Sequence, residues 1–236
     1  MKRYSMYMIV TALMALNVQA ELLLGWDYFG SNTLDPNELT PDHTASGCSG
    51  FIEYSNPGTQ IDWKASATTS TDGTYGTMGS GAGGAAALYT TCSNGTVYAD
   101  FSLTNNTGAS LILSNFCFDV YRASVNSPDS YTLSIVGGDL TLTNDFATGG
   151  GWVVSGYSAS PYTYDFPNDV DVDLSVLSDR TLADGESVVF RLSVSDSTPT
   201  VTTPYIFIDN IGIFGGTIIP ESSTMSLVII GMAGTF

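Results

Sequence analysis

A chain of 236 residues with 43% hydrophobic side chains carries enough apolar material for one sizeable core, which excludes a disordered polypeptide. Its 23 acidic against 6 basic residues give a formal net charge of −17. Such a chain is repelled by phosphate backbones and anionic headgroups, so nucleic acid and anionic membrane surfaces are excluded as partners.

The N-terminus reads as a secretory signal peptide. Met1-Lys2-Arg3 is a positive n-region, Met6 to Leu16 an apolar h-region, and Val18 and Ala20 the small residues that precede a cleavage point after Ala20. Cleavage removes Lys2 and Arg3, leaving 216 residues with 4 basic and 23 acidic side chains.

The mature chain has the texture of an all-β protein. Runs rich in Val, Ile, Thr, Tyr and Phe alternate with clusters of Gly, Asn, Asp, Ser and Pro. Strands are predicted over 22–29, 51–54, 96–104, 110–122, 130–136, 140–143, 152–157, 170–177, 187–195 and 205–214. Two of them alternate strictly. Val97, Ala99, Phe101 and Leu103 oppose Tyr98, Asp100 and Ser102; Val188, Phe190, Leu192 and Val194 oppose Val189, Arg191, Ser193 and Ser195. Period 2 buries one face and wets the other, the pattern of antiparallel sheets packed as a sandwich. Turn residues at Asn105-Asn106-Thr107-Gly108, Gly137-Gly138-Asp139 and Ala183-Asp184-Gly185-Glu186 separate successive strands. About ten strands with few helices predict a single jelly-roll-like β-sandwich over 21–216. The segments 31–47 and 68–87 are expected to be loops; the glycine run Gly79–Gly84 lacks the Lys-[Ser/Thr] of a phosphate-binding loop.

Catalytic signals are sparse. His43 is the sole histidine and lies in a Pro/Asp/Thr-rich segment without a nucleophile elbow, so no hydrolase triad is read. Cys48, Cys92 and Cys117 lack a C-x-x-C pair, which disfavours zinc; in an oxidising compartment one disulfide and one thiol are expected, with three pairings open. No cofactor is required.

Three constellations are candidate sites. Period 2 places Asp209 on the face of Phe207 and Ile211 in the last strand, and Asp27 lies in the first. If first and last strands adjoin, Asp27 and Asp209 form a candidate structural calcium site. The Asp209-Asn210 pair also resembles the terminal strand of jelly-roll carbohydrate-binding modules, a resemblance that implies a calcium-ligating aspartate. Asp169, Asp171 and Asp173 alternate with Val170 and Val172, which reads as a solvated edge face; Leu174 stands where an EF-hand loop needs Gly. Tyr157, Tyr162 and Tyr164, in a Ser/Pro-rich segment after Trp152, are candidates for stacking on sugar rings.

The C-terminus carries a second address. Ile219-Pro220-Glu221-Ser222-Ser223-Thr224 leads into the apolar run Met225 to Phe236. As a helix those 12 residues would span about 18 Å, short of a bilayer core of about 30 Å. The segment 217–236 resembles the PEP-CTERM sorting signal of exopolysaccharide-producing Gram-negative bacteria. The strand sequences 113–122, 173–175, 188–192 and 208–213 are similar to those of short PEP-CTERM proteins of verrucomicrobial type. The pattern's terminal arginines have no counterpart, so the tail is expected to be incomplete. The resemblance implies transient inner-membrane association and processing by an exosortase-type enzyme near Pro220-Glu221. The expected role is an exported, non-catalytic structural or adhesive component of the exopolysaccharide layer. The alternative is a carbohydrate-binding-module-like glycan binder; a third is a glycan-cleaving enzyme.

Overall fold

The computed structural model describes residues 20–27, 29, 40–54, 64–65, 69–70, 88–91, 96–122, 124–154, 163–164, 168–195 and 205–218. In chain order the strands are β1 (Glu21–Trp26), β2 (His43–Thr44), β3 (Cys48–Tyr54), β4 (Lys64–Ala65), β5 (Thr69–Ser70), β6 (Leu88–Thr91), β7 (Val97–Asn105), β8 (Leu111–Arg122), β9 (Ser130–Gly138), β10 (Thr143–Gly150), β11 (Thr163–Tyr164), β12 (Asn168–Asp173), β13 (Thr181–Leu182), β14 (Ser187–Ser195) and β15 (Tyr205–Thr217).

They form two principal sheets. One has the order β10-β9-β14-β7-β3. The other runs β12-β8-β15-β1-β2, with β13 also on β8, β6 on β15 and β4 on β6. Pairing within both is antiparallel; β5 and β11 make a small parallel pair. The first and last long strands do adjoin: Trp26 of β1 pairs with Ile211 of β15.

Alternation decides which side of each sheet is dry. In β14 the burial follows Val188, Phe190, Leu192 and Val194 at 0% exposure, with the residues between them only partly covered. In β7, Val97, Ala99, Phe101 and Leu103 are buried the same way. The two dry faces meet through aromatic rings. Phe101 of β7 lies 5.6 Å from Phe116 of β8, Phe190 of β14 5.5 Å from the same ring, and Tyr131 of β9 5.2 Å from Phe118. Trp26 of β1 adds an edge contact to Phe101 at 5.4 Å. Full burial of each such side chain contributes about 1.5–3 kcal/mol, so this seam holds the sheets face to face.

The turns are fixed by polar groups as the sequence suggests. The buried amide of Asn105 donates to the carbonyls of Ala109, Leu182 and Ala183 at 2.8, 2.9 and 3.0 Å, and its oxygen accepts from the Thr107 amide and hydroxyl. One side chain thus ties the β7–β8 turn to the β13–β14 turn. Gly185 supplies the left-handed residue the latter needs, at φ 85°.

Several expectations are corrected. The strand predicted over 140–143 begins at Thr143 and runs to Gly150: TNDFATGG has little strand propensity, and pairing with β9 imposes the conformation. Over 152–154 only a single bridge, Val154 to Arg122, stands where a strand was expected. β12 stops at Asp173, whose carboxylate accepts from the Ser175 amide at 2.7 Å and caps a 3-10 turn at Leu174–Val176. That amide, then the Ser175 hydroxyl, holds the Asp173 carboxyl below its ordinary range. Within the segments expected to be loops, His43–Thr44 pairs with β1 and Thr69–Ser70 with β11. Cys48 and Cys117 are both buried and reduced, and they belong to different sheets, so the expected disulfide does not join them. Burial, then Glu21, pushes the Cys48 thiol pKa up and keeps it protonated. Cys92 lies outside the described residues.

Candidate functional site

β12 is an edge strand, and its valines face inward while Asp169, Asp171 and Asp173 face solvent, as the alternation requires. The exposed carboxylates discourage pairing with another chain. His43 is exposed and sits 3.1 Å from the Leu22 carbonyl.

Asp27 and Asp209 flank one irregularity. Between Asp209 and Gly212 the register of β15 on β8 shifts, and Asn210 takes φ 48°. This bulge reverses the period, so Ile208 and Ile211 both enter the core and Asp209 shares its face with Phe207 but not with Ile211. Asp209 pairs with Asp119 of β8, both fully buried; the Asn210 amide side chain donates to the Asp119 carboxylate, and Asp209 accepts from the Asn210 N–H at 3.0 Å. Asp27, 8% exposed, directs its own N–H to the Asp42 carboxylate at 2.8 Å. Among the described residues no group of three or more His, Cys, Asp and Glu stands where it could hold a metal ion.

Asp27 has a measurable consequence. Burial, then Asp42, raises its pKa from 3.8 to about 6. The folded state therefore binds the extra proton between those values, and stability falls as pH rises through this window and levels off above it. Asp27→Asn is expected to remove that slope and to gain about 2–3 kcal/mol over the parent near neutral pH. Urea titrations of both proteins at pH 4.5 and 7 check it; parallel pH dependences would refute it.

The outer face of the five-stranded sheet brings aromatic, charged and hydroxyl side chains together. Pairing of β3, β7, β14 and β9 sets its residues in rows. Phe51, Ser102, Val189 and Gly137 form one; Glu53, Asp100, Arg191 and Ser134 the next; Tyr98, Ser193 and Thr132 a third, continued by Thr148 of β10. Arg191 donates from Nε and Nη2 to the two Asp100 oxygens, each at 2.7 Å, and its guanidinium lies 3.7 Å from the centre of the Tyr98 ring. The side chains of Arg191 and Asp100 are 33% and 14% exposed. The Asp100 hydrogen bonds raise the Arg191 pKa and fix it as a cation. Phe51 is 46% exposed at the rim, its backbone held by Ser102, whose hydroxyl accepts from the Phe51 N–H at 3.0 Å and donates to its carbonyl at 3.1 Å.

At the far end of the middle row, Ser134 accepts from the Asp145 N–H at 2.8 Å and donates to its carboxylate at 3.1 Å. Asp145 adopts φ 46° within a bulge of β10, a conformation that an aspartate tolerates at some cost. Glu53 and Asp100 stand directly opposite each other, a like-charge pair that costs stability.

The sequence had already placed Tyr98 and Asp100 on one wet face and Arg191 on another. The missing signal was the register that sets Arg191 opposite Asp100. Of the tyrosines picked out for stacking, Tyr157 and Tyr162 lie outside the described residues, and Tyr164 is placed only as part of β11.

No protein-family model matches this chain, and no curated protein matches it. Solved structures align over much of its length with low scores. A carbohydrate-binding module described in a study of specific mannan recognition, TmCBM27, is 13% identical, covering 84% of this chain and 99% of its own, with a TM-score of 0.43. The K1 cleaved adhesin domain of Lys-gingipain from Porphyromonas gingivalis W83 is 14% identical, covering 84% and 97%, at 0.37. A family 29 carbohydrate-binding module from Piromyces equi is 10% identical, covering 85% and 93%, at 0.34. At these scores the likeness carries no argument about ligand or site.

Proposed function

We propose that this chain is an exported, non-catalytic glycan-binding module whose recognition surface is the outer face of the five-stranded sheet. The observation that carries the reading is the Tyr98–Arg191–Asp100 group set between the exposed Phe51 ring and rows of hydroxyls. A sugar ring offers an apolar face and a rim of hydroxyls. Phe51 and Tyr98 supply aromatic surface for the first; Asp100, Glu53, Asp145 and the spare Arg191 N–H groups supply acceptors and donors for the second. The like-charge Glu53–Asp100 pair and the strained Asp145 are costs that stability alone does not require.

The signal peptide ending at Ala20 and the tail around Pro220-Glu221 support export, with an exosortase-type enzyme as processing partner and the cell surface or extracellular matrix as destination. An adhesive role in an exopolysaccharide layer follows from binding. Asp100, the carboxylate central to this face, is engaged at both oxygens by Arg191, which does not suit it to the role of a general acid in glycan cleavage.

Affinity electrophoresis in gels containing soluble mannan, galactan or hydroxyethylcellulose tests the reading. The parent is expected to be retarded in at least one, and Tyr98→Ala to weaken that retention about tenfold to a hundredfold with the same melting behaviour. Retention insensitive to Tyr98→Ala but lost on replacing Tyr162 or Tyr164 would move the site to that segment.

A further inference from the structure

Resting on the glycan-binding reading, we infer that this face selects non-anionic glycans, and that Asp100 enforces the choice by occupying Arg191. An arginine stacked on a tyrosine at a half-exposed position is, by residue type, a receptor for carboxylate or sulfate. Here its fork is already filled: Nε and Nη2 meet both Asp100 oxygens at 2.7 Å. Three N–H donors are left over, two on Nη1 and one on Nη2, and they suit hydroxyl and ring oxygens; a second anion meets there a guanidinium whose charge Asp100 already offsets.

The surroundings reinforce the selection. Glu53 lies across from Asp100, and Asp145 is tied to Ser134, the residue opposite Arg191 on β9. The row therefore carries three carboxylates and one guanidinium. Neighbouring strands stand about 4.8 Å apart, so these charges act within or near a physiological Debye length of about 8 Å. Among the described residues no other Lys or Arg shares this face. Arg122 is buried against Asp129, Arg180 donates to the Leu113 carbonyl of the other sheet, and Lys64 belongs to β4 of that sheet. An acidic polysaccharide meets net negative charge there, whereas a neutral chain loses nothing and an amino sugar gains partners in Glu53 and Asp145.

Electrophoretic retention in gels of hydroxyethylcellulose, mannan, galactan or polygalacturonate at low ionic strength, with glucosamine oligomers as competitors, reads the selection. The parent is expected to be retained by neutral polymer and not by polygalacturonate. Asp100→Asn frees the Arg191 fork and should raise polygalacturonate affinity at least about tenfold, an increase erased by salt. Glu53→Gln leaves the ion pair intact and should raise it about twofold to threefold, which keeps the test alive if Asp100→Asn does not melt cooperatively. Parent protein retained equally by polygalacturonate and neutral polymer, with both lost in Arg191→Gln, overturns the charge selection and leaves glycan binding standing. Unchanged polygalacturonate affinity in Glu53→Gln and in folded Asp100→Asn also overturns the selection alone. Retention by none of these polymers, and no effect of glucosamine oligomers, overturns both.

Discussion

Replacing Phe116 by alanine is expected to lower the free energy of unfolding by about 3–5 kcal/mol. Phe116 is fully buried on β8 and contacts Phe101 and Phe190 on the opposing sheet at 5.6 and 5.5 Å, and Phe118 on its own strand at 6.3 Å. Its ring is the point where three strands from two layers meet, so truncation removes transfer energy and leaves a void that the rigid sheets cannot close. Phe116→Leu keeps most of the volume and should cost about 1 kcal/mol. Urea denaturation at constant m-value measures both. A loss below about 1 kcal/mol in the alanine variant would show that the sheets do not pack against each other at this ring.

The second large effect is expected at Arg122, and it is electrostatic. Arg122 is 8% exposed at the end of β8. Its guanidinium donates to the carbonyls of Val125, Ser127 and Trp152 at 2.9, 3.2 and 3.2 Å and pairs with Asp129 at 3.1 Å. Asp129 in turn accepts from the Trp152 N–H at 2.9 Å, and Trp152 stacks on Tyr131 with planes 7° apart. One planar fork therefore holds the β8–β9 connection against the segment that follows β10. Arg122→Met leaves buried carbonyls without donors and should cost about 2–4 kcal/mol. Arg122→Lys restores charge but not the fork and should recover only part of that loss. Asp129→Asn, at a side chain 34% exposed, should cost about 1 kcal/mol or less. Near-UV circular dichroism of Trp152, alongside denaturation, separates local loosening from global loss. An Arg122→Met protein as stable as the parent would refute the assignment.

Period 2 in β7 and β14 marked inward and outward residues correctly, because a strand with one dry face must alternate. The acidic edge of β12 was legible for the same reason. β10 was missed because Asn144, Asp145, Gly149 and Gly150 carry no strand signal of their own; their conformation comes from the partner β9. The face assigned to Ile211 failed because a bulge at Asn210 resets the period; its trace in the sequence is the break of phase between Ile206 and Ile208 on one side and Ile211 and Ile213 on the other.

The amino-acid order alone determined an acidic, antiparallel β protein, since charge and alternation are properties of neighbours along the chain. The Arg191–Asp100 contact joins residues 91 positions apart, and the meeting of Phe116 with Phe190 joins two layers. Only register and stacking decide such contacts: cross-strand pairing is chosen by the folded whole, and a slip of one residue would turn Arg191 from the wet face to the core.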